Sequence, residues 1–164
     1  MNFRIGHGYD VHRFSPESGD FLLKIGGTNI PHHKRLLAHS DGDVLVHALC
    51  DAILGALALG DIGKHFPDTH PQYSGISSLL LLSHTASLIR ERFWSVSNVD
   101  ITLIAEKPRF SIYINDMQSQ LAEVLQVSPE QIGIKATTTE GLGFAGRGEG
   151  IGCHAVVLLQ QEAD

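Results

Sequence analysis

Apolar and polar positions along this chain switch repeatedly between a period of two and a period near 3.6, and each switch marks an element. Phe3 to Asp10 reads as a first strand, and Phe21 to Ile25 with Thr28 to Ile30 as a hairpin that turns at Gly26-Gly27 and ends at Pro31. Ser40 or Asp41 can cap a helix running to about Leu59, where Gly60 offers a left-handed stop. Ser77 can cap a second helix, in which Leu79, Leu82, Ala86, Ile89 and Phe93 recur along one stripe. Strand period returns as Val99, Ile101 and Leu103 alternate with Asp100, Thr102 and Ile104, and Ile114, Met117, Leu121 and Val124 predict a third helix. Ser128-Pro129-Glu130-Gln131 reads as a helical turn with Pro at its first position, followed by a strand from Ile132 to Thr138. A last strand spans about Ile151 to Leu159, and the five glycines between Gly141 and Gly150 predict a loop built for close backbone approach. The expected architecture is one α+β domain over residues 1–164, a mostly β sheet covered on one face by three helices.

With 43% hydrophobic residues, a chain of 164 residues can bury a full core without disulfides. Lys and Arg total 12 against 18 Asp and Glu, a formal net charge of −6, with no basic stripe to neutralise a nucleic-acid backbone. An anionic ligand would need backbone N–H groups, helix N-termini or metal ions for its attraction. The N-terminus lacks the apolar stretch of an export signal, and no window reaches eighteen apolar residues, so a cytoplasmic protein without a membrane span is expected. Cys50 and Cys153 are too few for a disulfide framework and suit buried apolar positions in a reducing compartment.

Ten histidines change the picture. Asp10 and His12 sit two apart in an extended segment, so both side chains leave one face while Val11 points away. His47, on the first helix with Asp43 and Asp51 one turn to either side, could complete a three-ligand metal site with an open fourth position. Spacing alone leaves open a strand-end ion pair and an unrelated core histidine. No role is assigned to His7, His32, His33 or His84. His39-Ser40-Asp41-Gly42-Asp43 precedes a helix, where a phosphate could sit, although these residues taken alone read better as an ordinary cap. Thr137-Thr138-Thr139-Glu140, leading into the glycine-rich segment, offers three hydroxyls and a carboxylate to a phosphate and its divalent cation; a strand end running into a turn has the same composition.

Gly6-His7-Gly8-Tyr9-Asp10-Val11-His12, Leu37-Ala38-His39-Ser40-Asp41-Gly42-Asp43, Gly60-Asp61-Ile62-Gly63, Phe66-Pro67-Asp68-Thr69 and Lys135-Ala136-Thr137-Thr138-Thr139-Glu140 together resemble the 2-C-methyl-D-erythritol 2,4-cyclodiphosphate synthase family of the non-mevalonate isoprenoid pathway. The resemblance covers nearly the whole chain. It implies a homotrimer with active sites between subunits, turning 4-diphosphocytidyl-2-C-methyl-D-erythritol 2-phosphate into the cyclic diphosphate and CMP. It implies one zinc ion per subunit on Asp10, His12 and His47, and a second divalent ion, Mg2+ or Mn2+, on Glu140. His39 and Thr138 match the family's transition-state stabilisers. Asp10, Val11 and His12, then His39, Ser40, Asp61, Ile62, Gly63, Phe66, Pro67, Asp68, Thr69 and His70, match substrate-binding positions, the later ones on the erythritol side. Ala105, Glu106, Lys107, Pro108, Arg109, Phe110 and Ser111, with Thr137, Thr138, Thr139 and Glu140, match the segments that hold the cytidine nucleotide; Phe144 and Arg147 match the remaining positions.

Three residues depart from the pattern. Arg109 stands where relatives often carry Lys, and can meet a phosphate bidentately. His70 replaces a common acidic residue. His154 stands where a Glu often pairs with the Arg equivalent to Arg147, which predicts unbalanced positive charge at the trimer's central cavity and, with it, a site for an isoprenoid diphosphate. Two other functions fit the same residues: a metal-dependent phosphodiesterase, and a non-catalytic trimeric carrier of isoprenoid diphosphates.

Overall fold

A computed structural model of the protein describes residues 2–67 and 75–161. Its elements, in chain order, are strands β1 (Phe3–Arg13), β2 (Phe21–Ile25) and β3 (Thr28–His32); helices α1 (Val44–Ala56), α2 (Ile62–His65) and α3 (Ser78–Arg90); β4 (Trp94–Ile104), α4 (Ile114–Leu125), β5 (Ile132–Thr137), α5 (Gly143–Gly146) and β6 (Gly150–Gln161). Four strands form one mixed sheet in the order β1-β6-β4-β5, with only β4 and β5 parallel, and β2 and β3 form a separate hairpin. The predicted α+β domain is borne out. Among the described residues, the three longer helices are accompanied by two of four residues each, α2 and α5.

Alternation explains which face the helices take. Along β6, Ile151, Cys153, Ala155, Val157 and Leu159 are all fully buried, as are Ile101 and Leu103 of β4, while His154, Val156 and Leu158 face the other way. On β1 the matching inward positions are Gly6 and Gly8, opposite Val157 and Ala155. A Cβ on either glycine would stand 1.9 Å from a helix carbonyl, that of Ala52 over Gly6 and that of Ala48 over Gly8. The helix therefore lies directly on the strand backbone. Continuing the same alternation, Asp10 and His12 point to the α1 side.

Several boundaries differ from the sequence expectation, each for a tertiary reason. β1 continues three residues past Asp10, because pairing with β6 runs unbroken from Phe3 to Arg13. α1 starts at Val44, and its cap is Asp43 instead of Ser40 or Asp41. The fully buried Asp43 carboxylate accepts from Gly26 N (2.8 Å), Gly27 N (2.7 Å) and Val46 N (3.1 Å), tying the hairpin turn to the helix start. α1 ends at Ala56, and Ala58 adopts the left-handed conformation before Gly60 does. Pro31 is paired within β3, which extends to His32. Phe93 falls outside α3 and is exposed, and the glycine-rich segment contains α5. The Ser128 turn forms as expected, with the Gln131 side chain accepting from Ser128 N at 2.9 Å. Cys50 and Cys153 are free and buried, and burial pushes the Cys50 thiol up to about 12. Among the described residues, no helix is long and apolar enough to cross a membrane.

Candidate functional site

The end of β1 and the first turn of α1 bring Asp10, His12 and His47 together, the arrangement that the spacing allows and the resemblance implies. Asp10 Oδ2 lies 3.3 Å from His12 Nε2 and 3.2 Å from His47 Nδ1, and the two ring nitrogens are 3.0 Å apart. Four ligands at about 2.0–2.1 Å from a central zinc ion would themselves stand about 3.3–3.4 Å apart. One carboxylate oxygen and two imidazole nitrogens at this separation fit such an ion with little movement. They are the residues among those described whose ligand atoms cluster in this way.

The electrostatics prepare two of the three ligands. Burial works to raise the Asp10 carboxyl, but the hydrogen bond from His47 and the charges of His12 and His47 outweigh it, so Asp10 is held below the usual carboxylate range. Desolvation lowers His12 despite the nearby Asp10. His47 behaves oppositely: burial works to lower it, yet Asp10, with Asp43 and Asp41 further off, leaves it raised. Of the three ligands, His47 is therefore the one that holds a proton most readily against an incoming cation.

The far nitrogen of His47 is also engaged. Its Nε2 stands 2.9 Å from Ser78 Oγ and 3.1 Å from Ser40 Oγ. Ser78, fully buried at the start of α3, gives its hydroxyl proton to Asp41 Oδ1 and its backbone N–H to Asp41 Oδ2 at 3.0 Å. Sequence reasoning missed this contact, since nothing in the spacing links Ser78 to a residue 37 positions earlier.

The neighbouring expected residues lie around this centre. His39 is exposed and forms no side-chain hydrogen bond among the described residues. Asp61 caps α2 by accepting from Lys64 N at 2.9 Å, and Asp51, partly buried on α1, accepts from Ile62 N at 2.8 Å. Asp51 thus anchors the 61–63 segment and stands outside the ligand cluster. Phe66 is buried; Asp68, Thr69 and His70 lie outside the described residues.

The 105–111 and 137–138 segments, predicted to share a ligand, together line a pocket of about 370 Å³ that includes Ala105, Pro108, Arg109, Phe110, Thr137 and Thr138. Phe110 is almost wholly buried there, while Arg109, Ser111, Thr137 and Thr138 are exposed. Glu106 faces the neighbouring loop: its Oε1 accepts from Thr139 N at 3.0 Å and, more weakly, from Gly141 N at 3.4 Å. The Thr139 backbone bond holds the Glu106 carboxyl below its ordinary range. Glu106 therefore fastens the two segments together. Glu140 follows at a positive φ of 55°, exposed and without a hydrogen bond or ion pair among the described residues.

Arg147 requires a correction. Its guanidinium is paired bidentately with Glu149, Nε to Oε1 at 2.9 Å and one terminal nitrogen to Oε2 at 3.1 Å. The expected unbalanced arginine beside His154 is not found, because a carboxylate two residues along supplies the counter-charge. His154 instead faces His7, ring nitrogens 3.0 Å apart, and packs on Tyr9 at 4.7 Å between ring centres. Phe144 lies across the backbone of Gly152, where a Cβ would meet its ring at 3.2 Å.

A mixed-sheet α+β domain whose Asp and His side chains converge at one end of the sheet as a group that could hold a metal ion, with a separate pocket lined by Arg109 and two threonines at the opposite edge, defines the class of protein. Known proteins narrow that class. A profile of the YgbB family matches residues 3–160, and the chain belongs to this family. It is 60% identical over 156 residues, 95% of this chain and 98% of the relative, to the 2-C-methyl-D-erythritol 2,4-cyclodiphosphate synthase of Azotobacter vinelandii. The IspF of Plasmodium falciparum, solved as a CDP complex, superposes with a TM-score of 0.86 at 34% identity, covering 99% of this chain and 98% of that one. The bifunctional IspDF of Campylobacter jejuni gives a TM-score of 0.91 at 41% identity, over 98% of this chain and 42% of that longer one.

Proposed function

We propose that this chain converts 4-diphosphocytidyl-2-C-methyl-D-erythritol 2-phosphate into 2-C-methyl-D-erythritol 2,4-cyclodiphosphate and CMP, acting as a phosphorus–oxygen lyase in the cytoplasm. The observation that carries the reading is the convergence of Asp10, His12 and His47 ligand atoms within 4.8 Å of one another in a member of this family. The relatives named as synthases and the CDP-bound neighbour support the product and the nucleotide moiety. Neither the phosphodiesterase nor the carrier reading gains support from them.

In the proposed reaction an oxygen of the substrate's own 2-phosphate bonds to the β-phosphorus. The bond from that phosphorus to the CMP oxygen breaks, and CMP leaves with the electron pair. The protein then needs positioning and charge stabilisation, and no nucleophile of its own. That agrees with two buried thiols as its only cysteines. Zinc held by Asp10, His12 and His47 would supply Lewis-acid polarisation of a phosphate oxygen. Arg109, Thr137 and Thr138 hold the nucleotide phosphates, Glu140 takes the second divalent ion, and His39 and Thr138 donate to charge developing on the reacting phosphoryl group.

The sheet register supports sites shared between subunits. Val11, Gly152, Ile104 and Thr137 form one row across β1, β6, β4 and β5. The metal ligands and the nucleotide pocket thus sit at the same end of the sheet but on opposite edges, three strand spacings or about 14 Å apart. The sheet face away from the helices exposes Ile5 (72%), Phe3 (51%), Tyr9 (44%) and Val11 (43%), apolar surface that a homotrimer would cover. CMP release tests the reading: it is expected with zinc restored to the metal-free protein and absent from His47→Ala. CMP release that needs no metal would overturn it.

A further inference from the structure

The metal ligand His47 can present a lone pair from Nδ1 only if its ring proton sits on Nε2, so whatever contacts Nε2 helps to decide whether the site binds. Two hydroxyls stand there, Ser78 Oγ at 2.9 Å and Ser40 Oγ at 3.1 Å. They are not equivalent. Ser40 Oγ accepts weakly from Gly42 N at 3.3 Å, and among the described residues its own proton has no fixed acceptor other than the ring. The Ser78 proton is committed to Asp41 Oδ1, while Asp41 Oδ2 is fixed by Ser78 N at 3.0 Å. A hydroxyl whose proton is already given away can only accept from a ring nitrogen. Ser78 is also fully buried, so no water competes for the role.

We propose that Asp41 and Ser78 form a positioning relay, Asp41 to Ser78 Oγ to His47 Nε2, that sets the His47 tautomer and aims its Nδ1 lone pair at the metal. The relay rests on the metal-centre reading of Asp10, His12 and His47, and extends it to two residues outside that ligand trio. It also explains the fully buried polar side chain at the first position of α3, which caps nothing: the helix N-cap is Ser77, which makes no side-chain capping bond.

The relay predicts an unusual order of variants. In Asp41→Asn the amide oxygen keeps the shorter bond, from Ser78 N–H at 3.0 Å, at the expense of the weaker one that Asp43 N–H makes to Asp41 Oδ1 at 3.3 Å. The amide NH2 then faces Ser78 Oγ and turns it round, so that the hydroxyl donates to His47 Nε2. The ring proton is driven to Nδ1, where the metal must bind. Ser78→Ala instead removes the relay and leaves the ring free to choose. Asp41→Asn should therefore weaken zinc binding more than Ser78→Ala, by at least about 10-fold and up to about 100-fold, the range over which outer contacts act on metal ligands. Ser78→Thr, which keeps the hydroxyl, should restore most of the affinity.

Zinc affinity is measured on the full-length proteins by chelator competition, with the visible spectrum of the cobalt(II)-loaded forms and the unfolding midpoints of the metal-free forms. The expected result is the order wild type, Ser78→Thr, Ser78→Ala, Asp41→Asn in falling affinity, with altered cobalt bands in Asp41→Asn at matched unfolding midpoints. Equal affinity and spectra in Asp41→Asn and wild type would overturn the relay alone. So would losses that merely follow the unfolding midpoints. A wild-type protein that takes up no zinc would instead overturn the metal-centre reading on which the relay rests.

Discussion

At the metal centre the proton is the metal's competitor. Because Asp10 raises His47, the protonated ring persists to higher pH than in an ordinary histidine, whereas His12 is already lowered and Asp10 is ionised. The sign follows: as pH falls through the raised His47 value, more of the metal-free protein must lose a proton to bind, so zinc affinity falls. Calorimetry in two buffers of different ionisation heat should show proton release on zinc binding that declines as pH rises, because His47 is the ligand whose protonated form is favoured. His47→Ala, with two ligands in place of three, should lose zinc and nearly all activity while remaining folded; full zinc occupancy would contradict the assignment. Thr138→Val should lower kcat by about 10-fold or more with little change in CMP affinity, since a donor aimed at developing charge acts mainly in the transition state. The ligand trio was legible because strand and helix periods each place a side chain on a known face. Ser78 and Asp41 were not, because their meeting depends on where α3 begins after an intervening segment.

Among the elements, α1 and β1 carry the site between them, and their closeness is set by two missing side chains. A Cβ at Gly8 would meet the Ala48 carbonyl at 1.9 Å and the Ala52 nitrogen at 2.8 Å, both backbone atoms that cannot yield alone. Gly8→Ala should therefore lift α1, destabilise the fold by on the order of 3 kcal/mol and weaken zinc binding, because Ala48 adjoins His47. Denaturant unfolding and zinc titration check both effects. The same contacts show why boundaries resisted sequence reading. Ser40, Asp41 and Asp43 all have the chemistry of a cap; Asp43 takes the role because the Gly26-Gly27 turn brings two more N–H groups to its carboxylate. Likewise Val11, His12 and Arg13 lack a strand-like pattern, and only pairing with Gly150 to Gly152 keeps them extended.

For the whole molecule, the proposed trimer divides each reaction site between neighbouring copies: metal ligands from one subunit, nucleotide pocket from the next. Mixing His47→Ala with a variant that cannot bind the nucleotide, such as Arg109→Glu, after dissociation and reassembly should recover a fraction of wild-type activity from two inactive parents. No recovery in verified mixed trimers would contradict sharing. The fold class followed from local pattern and the candidate ligand trio from pattern together with resemblance, but the Arg147–Glu149 pair removed the charge imbalance inferred from His154, since a counter-ion lay within the same loop. The central claim, that the substrate's own phosphate closes the ring, is tested most directly by turnover in ¹⁸O-labelled water with mass analysis of both products. Intramolecular attack predicts CMP and cyclic diphosphate free of label; one ¹⁸O atom in CMP or in an open-chain diphosphate would show that water attacks instead.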